Sequence, residues 1–507
     1  MDNQKFSSDI STAYTFSGES FKIGSGMLDK KVWPEAAVNM PLRMFNRHGL
    51  IAGATGTGKT KTLQLIMEGL SDAGVPVLAM DIKGDLSGLA MAGVPNDRIK
   101  ERYQQLQENY QPRAYPVEFL SLSQEPGTRL KATVTEFGPL LMAKVLDLND
   151  TQEGLLAVLF KYCDDQGLPL LDLKDLTEVL QYAGAEGKAV IEKEYGKISI
   201  SSLGTIQRKI IALEQQGADL FFGERSFEIK DLMRFPGDGK GMLSVLRLMD
   251  MQEHPGLFAT FMLQLLGELY ATMPEAGDLG KPKLVLFIDE AHLIFKNGTS
   301  ALLEQIETIV KLIRSKGVGI FFCTQDPTDI PDSVLSQLGF KIQHALRAFT
   351  ANDRKAIKKT AENYPLSDYY QTDELLTQMG IGEAMITLLN EKGIPTTLVH
   401  TFLMTPRSRM GVISAAELSQ IVASSSIAAY YNERLDRQSA FEIIQQKTQQ
   451  YAQASAAPAP KASSVTPPPK TGEEQSWLGG FLNSSVGKQV QRSLVRTFFG
   501  VLSRAIK

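Results

Sequence analysis

The stretch that decides the fold is Gly49–Thr60, which reads GLIAGATGTGKT. Its last eight residues match the phosphate-binding pattern G-x-x-x-x-G-K-[ST], in which glycines let successive backbone N–H groups face a phosphate chain. A short apolar segment precedes the glycines, and apolar residues at helical spacing follow them. The order strand, loop, helix favours a phosphate-binding loop over a glycine-rich turn that merely precedes a helix.

Different parts of this predicted loop have different tasks. Lys59 is expected to reach the β- and γ-phosphates, and Thr60 is expected to offer its hydroxyl to Mg²⁺. ATP and Mg²⁺ are therefore the predicted cofactors. The nucleotide-binding candidates are Gly53, Ala54, Thr55, Gly56, Thr57, Gly58, Lys59, Thr60 and Lys61.

A second motif, LVLFIDEAH at residues 284–292, is an apolar run that ends in two carboxylates. Such a run is typical of a fully buried parallel strand, whose carboxyl end lies where ligands bind. Asp289 is predicted to hold the magnesium, and Glu290 to act as the general base on an attacking water. Two acids capping a solvated strand are the alternative, which the phosphate-binding loop disfavours.

The segments after this motif predict a βαβ unit. Residues 300–314 have an amphipathic helical pattern, and Val318–Cys323 form a second buried strand. Gln325 follows that strand and is predicted to sense the γ-phosphate, with a simple strand cap as the alternative. Together with the loop, these patterns predict an α/β fold with a RecA-like P-loop NTPase core and a mostly parallel sheet.

Four further charged residues are candidates for the site. Arg347 is predicted to be an arginine finger that reaches a neighbouring subunit's nucleotide, and Arg314 is the second candidate. A salt-bridged surface arginine is the alternative for both. Asp81 ends another predicted strand and, like Asp85, is a candidate for holding a magnesium-bound water or for binding a neighbouring subunit. A turn over residues 83–85, without a role in the chemistry, is the alternative there.

Composition limits the class of protein. A chain of 507 residues predicts roughly two to four domains. The net charge of −4 gives no global nucleic-acid signal, so any such surface must be a local patch or a lined channel. Two distant cysteines argue against a disulfide framework or a zinc cluster. No apolar run approaches the about 20 residues of a membrane span, and the polar N-terminus favours a cytoplasmic location.

The quoted motifs, with DIKGDL at residues 81–86 and RSKGVGIFFCTQDPTDIP at 314–331, together resemble those of the HerA-like ATPases. These are relatives of the FtsK-type DNA pumps, and the bacterial group typified by YjgR is the most similar. The likeness spans roughly residues 15 to 445 and includes PRSRMG at 406–411. It implies a RecA-type core, a homohexameric ring and ATP-driven movement along double-stranded DNA. HerA has a β-barrel before its motor, whereas only 52 residues precede Gly53 here. The nuclease partnership of HerA is therefore not carried over.

The remaining patterns predict the domain organisation. A short N-terminal segment (1–45) precedes the first part of the core (46–138), an inserted α-helical subdomain (139–236) and the second part of the core (237–425). A strand is expected at 131–137, and a hairpin at 384–399 is expected to finish the sheet. A helical extension (426–453), a flexible Pro/Ala/Ser linker (454–476) and a basic amphipathic tail (477–507) follow.

Two functions remain open on the sequence alone. The first is an ATP-hydrolysing motor that acts on duplex DNA as a translocase or helicase. The second is the same ATPase acting on a protein partner, bound through the helical insertion or the basic tail. The acidic balance favours the second slightly, and the family resemblance favours the first more strongly.

Overall fold

The computed structural model describes residues 3–250, 255–277, 279–297, 300–435 and 437–456. These residues form two compact units. The first unit comprises residues up to 130 together with 227–433, and the second comprises 131–226 together with the described residues from 434 onward. The predicted tail and nearly all of the predicted linker lie outside the described residues.

The first unit is built on one sheet of twelve strands. The strands are β1 (Ser20–Leu28), β2 (Lys31–Pro41), β3 (Gly49–Ala52), β4 (Val77–Asp81), β5 (Val117–Ser121), β6 (Thr128–Arg129), β7 (Leu243–Arg247), β8 (Leu284–Ile288), β9 (Val318–Thr324), β10 (Phe340–Gln343), β11 (Glu383–Thr387) and β12 (Val399–Leu403). Their order across the sheet is β2-β1-β12-β11-β10-β3-β9-β8-β4-β7-β5-β6.

The eight strands from β10 to β6 in this order run parallel, as the sequence predicts. The strand that precedes the phosphate-binding loop lies beside the strand that leads to Gln325, with Ala52 opposite Thr324. That strand in turn pairs with the one that ends in Asp289. Because parallel strands end at the same edge, the three motifs meet there.

The remaining four strands are antiparallel and extend the sheet beyond β10. The first strand of the predicted hairpin is β11, but its partner β12 begins only at Val399, where the predicted second strand ends, and the pair does not finish the sheet. The N-terminal strand β1 pairs with β12, and β2 pairs with β1 to form the outer edge. The N-terminal segment therefore contributes a two-stranded extension of the motor's own sheet.

Helices cover the sheet of the first unit. They are α1 (Asn3–Ala13), α2 (Lys59–Asp72), α3 (Asp97–Leu106), α10 (Ile229–Leu232), α11 (Pro255–Thr272), α12 (His292–Asn297), α13 (Ser300–Leu312), α14 (Asp332–Leu335), α15 (Ala351–Glu362), α16 (Thr372–Gln378), α17 (Ala415–Ser424) and α18 (Ala428–Asn432). All five residues of β8 are buried, whichever face of the sheet they occupy. Such burial on both faces is expected of a parallel sheet between helices.

The second unit is helical where it is described. Its helices are α4 (Val134–Val145), α5 (Asp150–Asp165), α6 (Leu173–Gly184), α7 (Lys188–Tyr195), α8 (Ile200–Glu214), α9 (Ala218–Phe221) and α19 (Ala440–Ala456). The strand expected at 131–137 is wrong, because Thr133 caps α4 and accepts a hydrogen bond from the Glu136 N–H. In return, the Glu136 carboxylate accepts a hydrogen bond from the Thr133 N–H, so this capping box outweighs the alternating pattern.

None of the helices that the structure describes has both the length and the apolar character needed to cross a membrane.

Candidate nucleotide-binding site

The phosphate-binding loop joins β3 to α2 at the carboxyl edge of the sheet. Gly53, Gly56 and Gly58 have φ angles of 151°, 78° and 115°, a backbone region that residues with a Cβ rarely adopt. The amine of Lys59 folds over the loop and donates to the carbonyl oxygens of Gly53, at 2.6 Å, and Ala54, at 3.2 Å. The three glycines thus allow the sharp backbone turns that a phosphate-binding loop requires.

Two acids follow β8 at the same edge. Asp289 and Glu290 are both buried, and Glu290 has a φ of 47°, which is uncommon for a residue with a side chain. Burial, followed by the neighbouring charge of Glu290, raises the pKa of Asp289 to about 7. Backbone strain together with a shifted pKa is typical of functional sites.

Gln325 connects the loop with the second acid. Its side-chain oxygen accepts a hydrogen bond of 3.1 Å from the Thr55 hydroxyl. Its side-chain nitrogen lies 3.4 Å from both carboxylate oxygens of Glu290. The structure therefore brings Thr55, Gln325 and Glu290 into one hydrogen-bonded network.

The DIKGDL stretch forms a tight turn after β4. The carboxylate of Asp81 accepts hydrogen bonds from the N–H groups of Gly84 at 2.8 Å, Asp85 at 3.1 Å and Leu86 at 3.0 Å. Burial raises the pKa of Asp81 to about 6. The turn places Lys83 in an ion pair with Glu290, a contact that sequence reasoning missed.

Lys61 lies in the first turn of α2. Its amine donates to the carbonyl oxygen of Met410 and lies 3.3 Å from the side-chain oxygen of Gln64. Burial lowers the pKa of Lys61 below its ordinary value. The PRSRMG stretch thus lies against the helix that follows the phosphate-binding loop.

His344 supports the loop from the next strand and was also missed. Its N–H donates to the carbonyl of Ala52 at 2.7 Å, and its Nε2 lies 3.0 Å from the Thr62 hydroxyl. Burial, with the charge of Lys59, lowers the pKa of His344 to about 4. A Cβ on Gly53 would lie only 2.5 Å from the His344 Cβ.

A second support comes from the turn before β11. The N–H of Gly382 donates to the carbonyl of Thr57 at 3.1 Å. Arg102 holds this turn through the carbonyls of Ile381, Gly382 and Leu403, at 3.0, 3.2 and 2.7 Å. Gly382 and Arg102 lie far from the phosphate-binding loop in the sequence. Only a prediction that β11 pairs with β12 could have indicated that they support it.

The two candidate arginines lie at opposite edges of the sheet. Arg347 is exposed beyond the carboxyl end of β10, with one long hydrogen bond of 3.5 Å to the carbonyl of Thr377. Arg314 lies before β9, at the amino edge, in a cavity of about 370 Å³. Arg47, Lys311 and Lys341 also line that cavity. Glu275 and Glu391 line an adjoining cavity of about 700 Å³, which also includes Arg314.

The residues at the carboxyl edge fit a magnesium–nucleotide complex. Thr60 and Asp289 offer the oxygen atoms that Mg²⁺ prefers. After burial, the charge of Glu290 acts to raise the pKa of Asp289, and a divalent cation would relieve that repulsion. The glycine-bounded loop offers backbone N–H groups and the Lys59 amine to phosphates.

Comparisons with known proteins agree with this geometry. A family model described as "Helicase HerA-like C-terminal" matches residues 29–507. The "DNA double-strand break repair helicase HerA" of Sulfolobus acidocaldarius is 23% identical over 407 residues, which cover 78% of this chain and 72% of that protein. Its namesake from Saccharolobus solfataricus is 22% identical over 379 residues, with 75% and 68% covered.

Solved structures share the fold. The bacterial conjugative coupling protein TrwBdeltaN70 superposes with a TM-score of 0.51 at 13% identity, covering 81% of this chain and 94% of that chain. A structure of TrwB in complex with the ATP analogue ADPNP gives 0.50 at 13% identity, covering 79% and 99%. The predicted RecA-like core is thereby confirmed.

A test of the loop geometry is the variant Gly53→Ala. We expect at least a tenfold loss of affinity for a fluorescent ATP analogue, because the added Cβ meets His344 and the backbone there favours glycine. The matched control is Gly154→Ala, whose Cβ meets nothing within 4 Å. Unchanged affinity in Gly53→Ala would show that the contact with β10 does not shape the loop.

Proposed function

The chain belongs to the HerA-like helicase family, and on this premise we propose that it is a Mg²⁺-dependent ATP hydrolase that drives an oligomeric, hexameric motor along duplex DNA. The observation that carries the hydrolysis is the network from Thr55 through Gln325 to Glu290. It joins the phosphate-binding loop to a buried base at the edge where nucleotide binds in such sheets.

Each side chain of the site has its own proposed role in ATP hydrolysis. Lys59 leaves the carbonyls of Gly53 and Ala54 to contact the β- and γ-phosphates. Asp289 and Thr60 would hold the magnesium, which would supply positive charge that neutralises the phosphates. Glu290 accepts a proton from the attacking water. Gln325 orients Glu290 and reports whether the γ-phosphate is present.

We propose that Asp81 acts mainly through the backbone. Its carboxylate already accepts three N–H groups of its own turn. The role suggested by the sequence, holding a magnesium-bound water, remains a second possibility for the same carboxylate. In either role it fixes the turn that presents Lys83.

For the arginine finger, the environment favours Arg314 over Arg347. Burial and the neighbouring charge of Arg47 lower the pKa of Arg314. Arg314 lines one cavity with Arg47, Lys311 and Lys341, and such a group of cations attracts phosphate. Because it lies at the edge opposite the chain's own phosphate-binding loop, it suits the nucleotide of a second copy, as a head-to-tail ring requires.

The roles of the two central residues can be separated by substitution. Glu290→Gln should still bind ATP but lower kcat about 10²- to 10⁴-fold, because the general base is lost. Lys59→Ala should lose ATP binding or productive phosphate contact. The measurements are phosphate release and binding of a fluorescent ATP analogue, with Glu304→Gln, an exposed carboxylate of α13, as the control. Wild-type turnover in Glu290→Gln would refute the assignment.

The finger can be tested by mixing subunits. Lys59→Ala and Arg314→Ala subunits, each inactive alone, should regain ATPase activity when co-expressed, because one supplies the arginine and the other the phosphate-binding loop. The same pairing with Arg347→Ala is the comparison. Recovery with Arg347→Ala and none with Arg314→Ala would reverse the assignment.

The DNA substrate is tested by the ATPase rate with and without duplex DNA, across a salt series, on size-fractionated protein. We expect DNA to raise the rate in a ring-sized fraction, with the effect weakening as salt rises, because phosphate contacts release counterions. Turnover indifferent to DNA in every fraction would favour the second function, an ATPase acting on a protein partner. The helical unit and the tail beyond the described residues are the candidate attachment sites for that partner.

A further inference from the structure

Lys83 covers the proposed general base. Its amine forms an ion pair with Oε1 of Glu290. The lysine side chain is 37% exposed, whereas that of Glu290 is only 6% exposed. The ammonium therefore lies on the solvent side of a carboxylate that has little other access to water.

The other donors around Glu290 belong to the same chain. Nδ1 of His292 lies 3.3 Å from Oε2, and the side-chain nitrogen of Gln325 lies 3.4 Å from each oxygen. A general base must have an oxygen within about 2.6–3.2 Å of the water that it activates. In the structure, the amine of Lys83 contacts Oε1 of Glu290, so a water that binds to this oxygen must displace the amine.

The lysine is placed to remain on the carboxylate. Its amine contacts Oε1 of Glu290 directly, and the two opposite charges attract each other. The turn beneath it is fixed by Asp81, and Gly84 has a φ of 78°. Movement is therefore left to the flexible side chain of Lys83.

The phosphates already have another lysine. Lys59 occupies the motif position whose amine contacts the β- and γ-phosphates, and the charge of Lys83 lies near enough to lower the pKa of Lys59, after burial. Two ammonium groups on one phosphate oxygen would repel each other. Bound ATP is therefore expected to recruit Lys59 and to leave Lys83 on Glu290.

We propose that Lys83 is a positioning residue that restrains Glu290, and that efficient hydrolysis requires the ammonium to move from this carboxylate to a backbone phosphate of the nucleic acid. This inference rests on the proposed function, because the nucleic acid proposed there as the substrate is what releases Glu290 from Lys83. The exposed side of the lysine is the side from which a polyanion can reach it.

The ion pair can be tested without catalysis. In the nucleotide-free full-length chain, the labelling rate of Lys83 by an amine-acetylating reagent, followed by mass spectrometry, should rise at least threefold in Glu290→Gln. Only the neutral amine reacts, and the carboxylate favours the charged form. Lys355, an exposed lysine of α15, should be unchanged and is the control. An unchanged rate at Lys83 would overturn the proposal.

The restraint is tested by kcat and KM measured separately without DNA. Lys83→Met should raise kcat at least threefold with little change in KM, and Lys83→Arg, which keeps the charge, should stay closer to wild type. Lys83→Gln replaces the methionine variant if that variant does not fold. A kcat equal to or below wild type in the uncharged variant would overturn the restraint and indicate a phosphate-binding lysine. A wild-type chain without ATPase activity would instead refute the proposed function. The labelling experiment would still test the ion pair between Lys83 and Glu290 in that case.

Discussion

The site depends on burying two adjacent carboxylates, Asp289 and Glu290, at the end of a fully apolar strand. Buried charges are costly unless other groups compensate them. Here the compensation comes from other segments, since Lys83 follows the neighbouring strand β4 and Gln325 follows β9. The burial of the two acids thus determines which residues must surround them, and the parallel order of the strands brings those residues to one edge.

The parts of the site that the sequence predicts are those with local patterns. The phosphate-binding loop, the two acids and Gln325 each lie within a few residues of an apolar strand, so periodicity alone puts them at one edge of a parallel sheet. His344 and Gly382 are different. They support the loop through contacts with Ala52 and Thr57, and nothing in their own neighbourhood indicates a role. Lys83 was visible, but only as part of a turn, because its partner lies about two hundred residues away.

Most of the fold follows from the same periodicity, and the errors have identifiable causes. Residues 131–137 alternate like a strand, but the reciprocal bonds of Thr133 and Glu136 begin a helix there. The sheet also continues past the predicted hairpin. The pairing of β1 with β12 joins segments that are far apart in the sequence, so local patterns do not indicate it. Gly24 shows a condition for this pairing. A Cβ at Gly24 would lie 2.3 Å from the carbonyl oxygen of Phe402, so close pairing of β1 with β12 requires a glycine.

The first unit presents two different edges of one sheet. The carboxyl edge holds the loop, the acids and the lysines, whereas the amino edge holds the cavity lined by Arg47, Lys311, Arg314 and Lys341. Strand β9, with seven residues, separates the edges by about 20 Å. A single chain therefore cannot direct both at one nucleotide. A nucleotide bound at this cavity would belong to another copy, and such contacts between unlike edges repeat from copy to copy as a ring or as an open filament. An arginine finger at the amino edge would therefore act only in a head-to-tail contact between two copies, which is the kind of contact that the proposed motor needs.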